Sequence, residues 1–303
     1  MDRIFNINKP KGMTSHDVVY KVRKILGMKK VGHTGTLDPD AEGVLPICVG
    51  RATKVSDLIL NKDKAYSCEM TIGIETDTYD SSGEVVYKKD ISHITEEEVL
   101  EAIKSQMGLI NQLPPKYSAL KVNGKRMCDL VRSGRESEIK IKPRQIEIKK
   151  IEVKNIDFPT ISFEVLCSKG TYVRSICHDI GEILGVGAHM SDLKRIQSGI
   201  FKIDKAITLE ELENYKSKGL LCENSYSIEE VLGEFPYIIL KNNAVKYYTN
   251  GGIIQSYRFE EYTFTDSDVQ ARVYSNEGFI GIGKIIRKEK EISVKSEKLF
   301  KLE

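Results

Sequence analysis

Gly32-His33-Thr34-Gly35-Thr36-Leu37-Asp38-Pro39-Asp40-Ala41-Glu42-Gly43, running into Val44-Leu45-Pro46-Ile47-Cys48-Val49, is the stretch on which the reading of this chain turns. Residues 32–43 read as a glycine-punctuated loop, and the six that follow are apolar enough for a buried strand. Proline fixes its own backbone and pushes the preceding residue out of helical angles, so Asp38 is held extended or in a turn. The glycines let another molecule approach the backbone closely. A carboxylate on a stiff loop beside a core strand is a candidate catalytic group, although Asp-Pro after small residues is more often a plain turn. A phosphate-cradling loop does not fit, because Gly32-x-x-Gly35 lacks both the Gly-Lys-Ser/Thr ending and the dinucleotide spacing.

Outward from this loop the patterns alternate between strand and helix. Residues 4–8 read as a short strand ending in the Lys9-Pro10-Lys11-Gly12 turn. Ser15 is expected to cap a helix with Val18, Val22, Ile25 and Leu26 at helical spacing, stopped by Gly27. Residues 51–60 look helical, with Ala52, Val55, Leu58 and Ile59 inward. Tyr66, Cys68, Met70 and Ile72 then share one strand face, 76–83 turns the chain, and 84–88 returns as a partner strand. Thr95-x-x-Glu98 is a capping box for a helix carrying Val99, Ile103 and Met107. Residues 117–122 are strand-like before the Asn123-Gly124 turn, and 127–132 suits a short helix. Residues 145–153 and 161–167 alternate as paired strands would. Thr171 is expected to cap a helix with Val173, Ile176, Ile180 and Leu184 inward, and 188–201 is again extended. Thr208-x-x-Glu211 opens one more helix. From residue 233 the character shifts to short strands and Gly-rich turns, as in a small β-barrel.

The composition suits a globular protein: 303 residues, 40% hydrophobic and 30% charged. There is no run near 18 apolar residues and no signal-peptide core at the start, so a cytosolic, non-membrane protein is expected. Six scattered cysteines without a C-x-x-C pair, and five histidines without H-E-x-x-H, predict neither disulfides nor a metal site. Net charge is only +2, but residues 116–150 hold 11 Lys or Arg against four acids. Such a run is either a solvated face or an arm that holds a phosphate backbone.

The sequence GHTGTLDPDAEGVLPI resembles the catalytic-aspartate motif of the TruB family of tRNA pseudouridine synthases. The resemblance continues, in the family's order, at Asn8-Lys9-Pro10-Lys11-Gly12-Met13, Asp63-Lys64-Ala65-Tyr66, Tyr117-Ser118-Ala119-Leu120-Lys121 and Cys167-Ser168-Lys169-Gly170-Thr171-Tyr172-Val173-Arg174. It implies an α/β (α+β) fold: a mixed, largely antiparallel sheet in a catalytic domain over 1–232, then a PUA-like barrel over 233–303. Residues 116–150 would be the family's thumb-like insertion, with Ser133-Gly134 allowing it to bend. The implied activity is isomerisation of a flipped-out uridine in the tRNA T-arm loop to pseudouridine, without cofactor, metal or guide RNA, by a monomer.

The resemblance also assigns roles. Asp38 becomes the catalytic carboxylate, whether by adding to C1′, adding to the ring, or removing the 2′ proton. Arg174 lies by that carboxylate. It sits in the first turn of its helix, where the dipole disfavours a cation, so an anion should compensate. Tyr66, otherwise an ordinary core aromatic, would stack on the target base and take part in proton transfer. Leu193 would be an apolar pocket residue and Tyr172 would pack beneath the site. Asp77 matches an acid able to pair with the arginine, and equally suits a turn. His33 would fill the space left by the flipped base, and Lys9 would support the catalytic loop or the RNA backbone. Two rivals stand beside this reading: a longer relative dependent on guide RNA and partner proteins, and a non-catalytic RNA-folding protein on the same scaffold.

Overall fold

The alternating segments assemble into one mixed sheet in a computed structural model that describes residues 1–118, 120–122, 124–139, 141–288 and 291–300. Its strands lie in the order Arg3–Lys9, Glu42–Val49, Ala188–Ser198, Lys64–Ile72, Thr160–Cys167, Arg144–Asp157 and Gly108–Gln112. Every neighbouring pair is antiparallel except one. Ala188–Ser198 runs parallel to Glu42–Val49, pairing Lys194 with Glu42 and Arg195 with Gly43. That pairing demands glycine at 43, where φ is +106° and a Cβ would stand 2.3 Å from the Arg195 carbonyl.

The Lys64–Ile72 strand buries Tyr66, Cys68, Met70 and Ile72 against Val173, Ile176, Cys177 and Ile180 of the Val173–Ile183 helix. On the other side, Val18, Val19 and Val22 of the Ser15–Leu26 helix pack on Phe5, Ile7, Leu45 and Ile47. Fully burying one such aliphatic contributes about 1.5–3 kcal/mol, which is why these periodic faces hold.

Several local expectations change. Thr14, not Ser15, caps the first helix, in a box with Asp17. Thr171 does not cap its helix either: the N-cap is Tyr172 without a side-chain bond, and the Thr171 hydroxyl donates to the Ser168 carbonyl at 2.9 Å. Residues 51–60 form a 3-10 turn, Gly50–Val55, followed by the α-helix Ser56–Leu60, with the expected four residues inward. Met107 lies beyond the Glu96–Ser105 helix and is exposed. Strand over 117–122 shrinks to Lys121–Val122, which pairs with Lys125–Arg126. Ala119 of the resembling motif and Asn123 of the expected turn lie outside the described residues.

Residues 144–150 of the basic run belong to the main sheet, and there Lys149 pairs with Asp63 and Lys150 with Glu152. The insertion that projects from the body is therefore shorter than the basic run.

The last third of the chain ends in a second sheet: Ile253–Gln255, Glu291–Leu299, Gly278–Lys288, Gln270–Ser275, Tyr237–Leu240 and Phe259–Tyr262. Its first and last strands are not paired with each other among the described residues, so it forms a PUA-like half-barrel. Tyr248 and Ala244 of the Asn242–Thr249 helix share its core. The expected division at 232/233 lies between the Ile228–Val231 helix and this sheet. Ile282 and Phe300 nevertheless share a buried cluster with Ile4, Val44 and Phe201 of the body. No helix among the described residues is long and apolar enough to cross a membrane.

Candidate active site

The Asp38 loop is tied down from beneath. Short strand Val31–His33 pairs with Glu42–Val49, bringing the chain out and back beside the core. The Ser15 hydroxyl, freed from capping, accepts from the Leu37 N–H at 2.9 Å and donates to the Leu37 carbonyl at 3.1 Å. Lys9 is wholly buried, and its ammonium donates to the carbonyls of Pro10, Met13 and Pro39. Those three bonds use all three of its N–H donors. Burial pulls its pKa down to about 8, with Asp40 and Asp38 opposing, so it remains charged at neutral pH. Lys9 thus supports the Asp38 loop, with its ammonium turned to these carbonyls and away from any RNA backbone.

Arg174 approaches the loop from the second position of its helix and is only 6% exposed. Its Nη2 lies 3.1 Å from Asp38 Oδ2 and donates to the Tyr117 carbonyl at 3.1 Å. Its Nη1 lies 3.2 Å from Asp80 Oδ2 and donates to the Thr78 carbonyl at 3.2 Å. The anion expected to offset the helix dipole is therefore a pair of carboxylates bridged by one guanidinium. Asp80, and not Asp77, supplies the second. Asp77 accepts the Glu84 N–H at 2.8 Å and the Tyr117 hydroxyl at 3.3 Å, which makes it a turn residue. Residues 76–83 carry both acids three positions apart, and only the folded turn decides between them.

Tyr66 and Leu193 lie on adjacent strands, in one buried cluster with Leu37. The Tyr66 hydroxyl meets Arg195, which stands directly across the strand pair and is itself 1% exposed. Burial raises the Tyr66 pKa and Arg195 opposes that rise. Arg195 also donates to the Val44 carbonyl at 2.6 Å and the Gly35 carbonyl at 3.1 Å, so it braces the loop as well as the tyrosine. The sequence reading passed over Arg195. Its signal was the inward register: with Leu193 facing the core, the residue two further on must face it too.

Tyr172 is fixed through its backbone by Gln112, which accepts from its N–H at 2.8 Å and donates to its carbonyl at 3.0 Å. Burial raises its phenol pKa, and Arg174 and Asp38 are among the charges acting on it. His33 meets the exposed His16 edge-on at 5.3 Å, and its Nδ1 accepts the Gly35 N–H at 3.3 Å. Burial, His16 and Arg195 push its pKa down to about 4, leaving a neutral ring at the rim. The fold therefore gathers Asp38, Tyr66, Tyr172, Arg174 and Leu193, sets His33 at the edge, buries Lys9 below and turns Asp77 away.

The Asp38 side chain keeps 41% of its surface, yet protein closes around the carboxyl and raises its pKa. Arg174 and Lys9 oppose the rise, while Asp80 and Asp40 add to it; its openness to water tempers all of these. An Asp38 that acts as base or nucleophile is active only when ionised. The rate should then fall with acid from a midpoint above 3.8, the ordinary aspartate value. Single-turnover rates across pH test this, and a limb at or below 3.8 in folded protein contradicts it.

One group of possible metal ligands, Glu75, His178 and Glu182, lies near the site. Burial disfavours protonated His178, but Asp179, Glu75 and Glu182 outweigh it and raise the pKa.

Residues 23–173 match the family model described as TruB family pseudouridylate synthase (N terminal domain), and 174–232 match that of the tRNA pseudouridylate synthase B C-terminal domain. The chain is 59% identical over 300 residues to tRNA pseudouridine synthase B of Clostridioides difficile (strain 630), covering 99% of this chain and all of that protein. It is 45% identical over 307 residues to the protein of that name from Clostridium perfringens (strain SM101 / Type A), covering 100% and 98%. Among solved structures it is similar to a Cbf5-Nop10-Gar1 complex chain, with a TM-score of 0.76 and 30% identity over 98% of this chain and 84% of that one. An H/ACA RNP bound to a substrate RNA containing 2′-deoxyuridine matches with a TM-score of 0.75 and 27% identity, over 99% and 85%.

Proposed function

The chain belongs to the TruB family of pseudouridylate synthases, and from that premise we propose that Asp38 catalyses isomerisation of a uridine in the tRNA T-arm loop. The protein is a tRNA pseudouridine synthase, an isomerase. The reaction breaks the N-glycosidic bond, turns the base and rejoins it through carbon. It is redox-neutral and needs a carboxylate beside ribose and ring, together with groups that move protons.

The observation that carries the role of Asp38 is its 3.1 Å pairing with a buried Arg174 whose two Nη atoms also meet Thr78, Asp80 and Tyr117. A guanidinium held by three other acceptors presents a fixed cation to the carboxylate. That fixes a half-exposed carboxylate on the loop whose Leu37 packs in one buried cluster with Tyr66 and Leu193. Extruding a stacked loop uridine costs a few kcal/mol, and the neutral His33 ring is suited to fill the gap. Tyr66 takes the base face and Arg195 stands behind its hydroxyl.

Two finer points follow the same reading. End-to-end identity with the clostridial enzymes favours action without guide RNA, as a monomer in the cytosol, over the guide-dependent assembly named in the solved neighbours. Recognition rests on the shape of the T arm, with the basic insertion supplying grip. An isolated T-arm hairpin should therefore be converted at its loop uridine, and the same nucleotides as an unpaired strand should not. Equal conversion of both would overturn recognition by shape.

Grip is measurable separately from chemistry. Neutralising Lys125, Arg126, Arg132 and Arg135 should make the salt dependence of tRNA affinity shallower, by about 0.7–0.9 in log–log slope per lost phosphate contact. Single-turnover rates at saturating tRNA should change little. An unchanged slope would remove the insertion from the RNA interface. Deleting 233–303 is a poorer test, because Ile282 and Phe300 help bury the body's own core.

A further inference from the structure

Tyr79 is the one non-glycine residue with positive φ among the described residues, at 64°. For a bulky L-residue the left-handed region carries a steric penalty, so its surroundings must hold it there. They do so from two sides. The Tyr79 ring stacks on His178 at 3.9 Å and 28°, and its carbonyl accepts the Met190 N–H at 3.0 Å. His178 is itself held, with Nδ1 3.2 Å from Asp179 Oδ1 and Nε2 3.7 Å from Glu75 Oε1. Behind it, the Tyr87 hydroxyl donates to Glu75 Oε2 at 2.6 Å.

The residues on either side of Tyr79 give this strain a purpose. The Thr78 carbonyl and the Asp80 carboxylate are the two acceptors on Arg174 Nη1. His178 follows Arg174 by four residues, so both project from one face of the Val173–Ile183 helix, a turn apart. Consecutive residues 78, 79 and 80 therefore dock on two successive turns of the helix that carries the catalytic cation. Released from the stack, Tyr79 would relax toward negative φ, and the backbone would carry Thr78 and Asp80 off Arg174.

We propose that Tyr79 and His178 are positioning residues: their stack locks the 78–80 turn in the left-handed form that aims Arg174 at Asp38. The inference rests on Asp38 being the catalytic carboxylate. The phenol oxygen plays no part in the stack, so phenylalanine should serve at 79.

The test uses full-length protein with Tyr79→Ala, Tyr79→Phe, His178→Ala and the double alanine variant. At saturating tRNA, each alanine variant should lose about tenfold or more in single-turnover rate, the scale of a misaimed catalytic group, with tRNA affinity unchanged. The double variant should lose no more than either single, because both remove the same contact. Tyr79→Phe should match wild type. A second readout needs no substrate: Asp38 titration followed by carbon NMR. Asp38 is faced by Arg174, Asp80, Lys9, Asp40, Tyr66 and Tyr172, and the pull of Arg174 exceeds the push of Asp80. Loosening the turn should therefore move its midpoint up in the alanine variants alone. Wild-type rate and titration in both alanine variants would overturn the proposal. So would loss confined to tRNA affinity, or a Tyr79→Phe variant as impaired as Tyr79→Ala. If wild type makes no pseudouridine while the titration still shifts, the functional reading fails and the brace stands.

Discussion

Asp38→Asn should lower the single-turnover rate by about 10⁴-fold or more while leaving tRNA affinity within a few-fold of wild type, the scale expected for losing a nucleophile or general base. The substitution keeps shape and removes only the charge and its basicity. The loop should survive it, because Leu37 is pinned by Ser15 and Pro39 by Lys9, neither of which uses the carboxylate. Arg174 keeps Asp80 and two carbonyls, so it is not left as an unpaired buried charge. The grip on RNA proposed for the basic insertion does not involve this carboxylate. Binding titration and product formation on the same variant separate the two terms, and near-wild-type turnover would mean that the reacting carboxylate is a different one.

Arg174→Lys should cost about 10²–10³-fold in the same rate despite preserving the charge, from one or two buried acceptors left unmet. The fork spans two carboxylates and two carbonyls. A lysine offers three donors from a single point and cannot span that set. It must abandon either Asp38 or Asp80 and the Thr78 carbonyl. If Asp38 is released, its pKa rises further, so the acid limb of the rate should also move to higher pH. A lysine variant with a normal rate would make Arg174 a structural cation only.

The two capping boxes, Thr95–Glu98 and Thr208–Glu211, and the alternation of Tyr66 to Ile72 were legible because each depends on residues near in sequence. The Asp-Pro loop was legible for the same reason. Ser15 and Thr171 were misread as caps because a hydroxyl before a helix can serve any nearby backbone group. Here Ser15 serves Leu37, 22 residues away. Asp80 was missed in favour of Asp77 because both stand in one polar turn, and the partner that chooses between them, Arg174, is 94 residues from Asp80 in sequence. Arg195 was missed because a buried arginine met by carbonyls and a phenol, with no acid at hand, leaves no charge pattern in the sequence. Lys9 was left between the loop and the RNA backbone because nothing local shows that three carbonyls enclose it.

We propose that this chain alone, through the paired Asp38 and Arg174, isomerises a T-loop uridine in tRNA. The most direct measurement incubates the purified protein with unmodified tRNA transcripts, without guide RNA or partner proteins, and maps pseudouridine at nucleotide resolution. The account predicts stoichiometric conversion at a single uridine of the T loop. No product from folded protein across several tRNAs, or product only after a guide RNA is added, would contradict it.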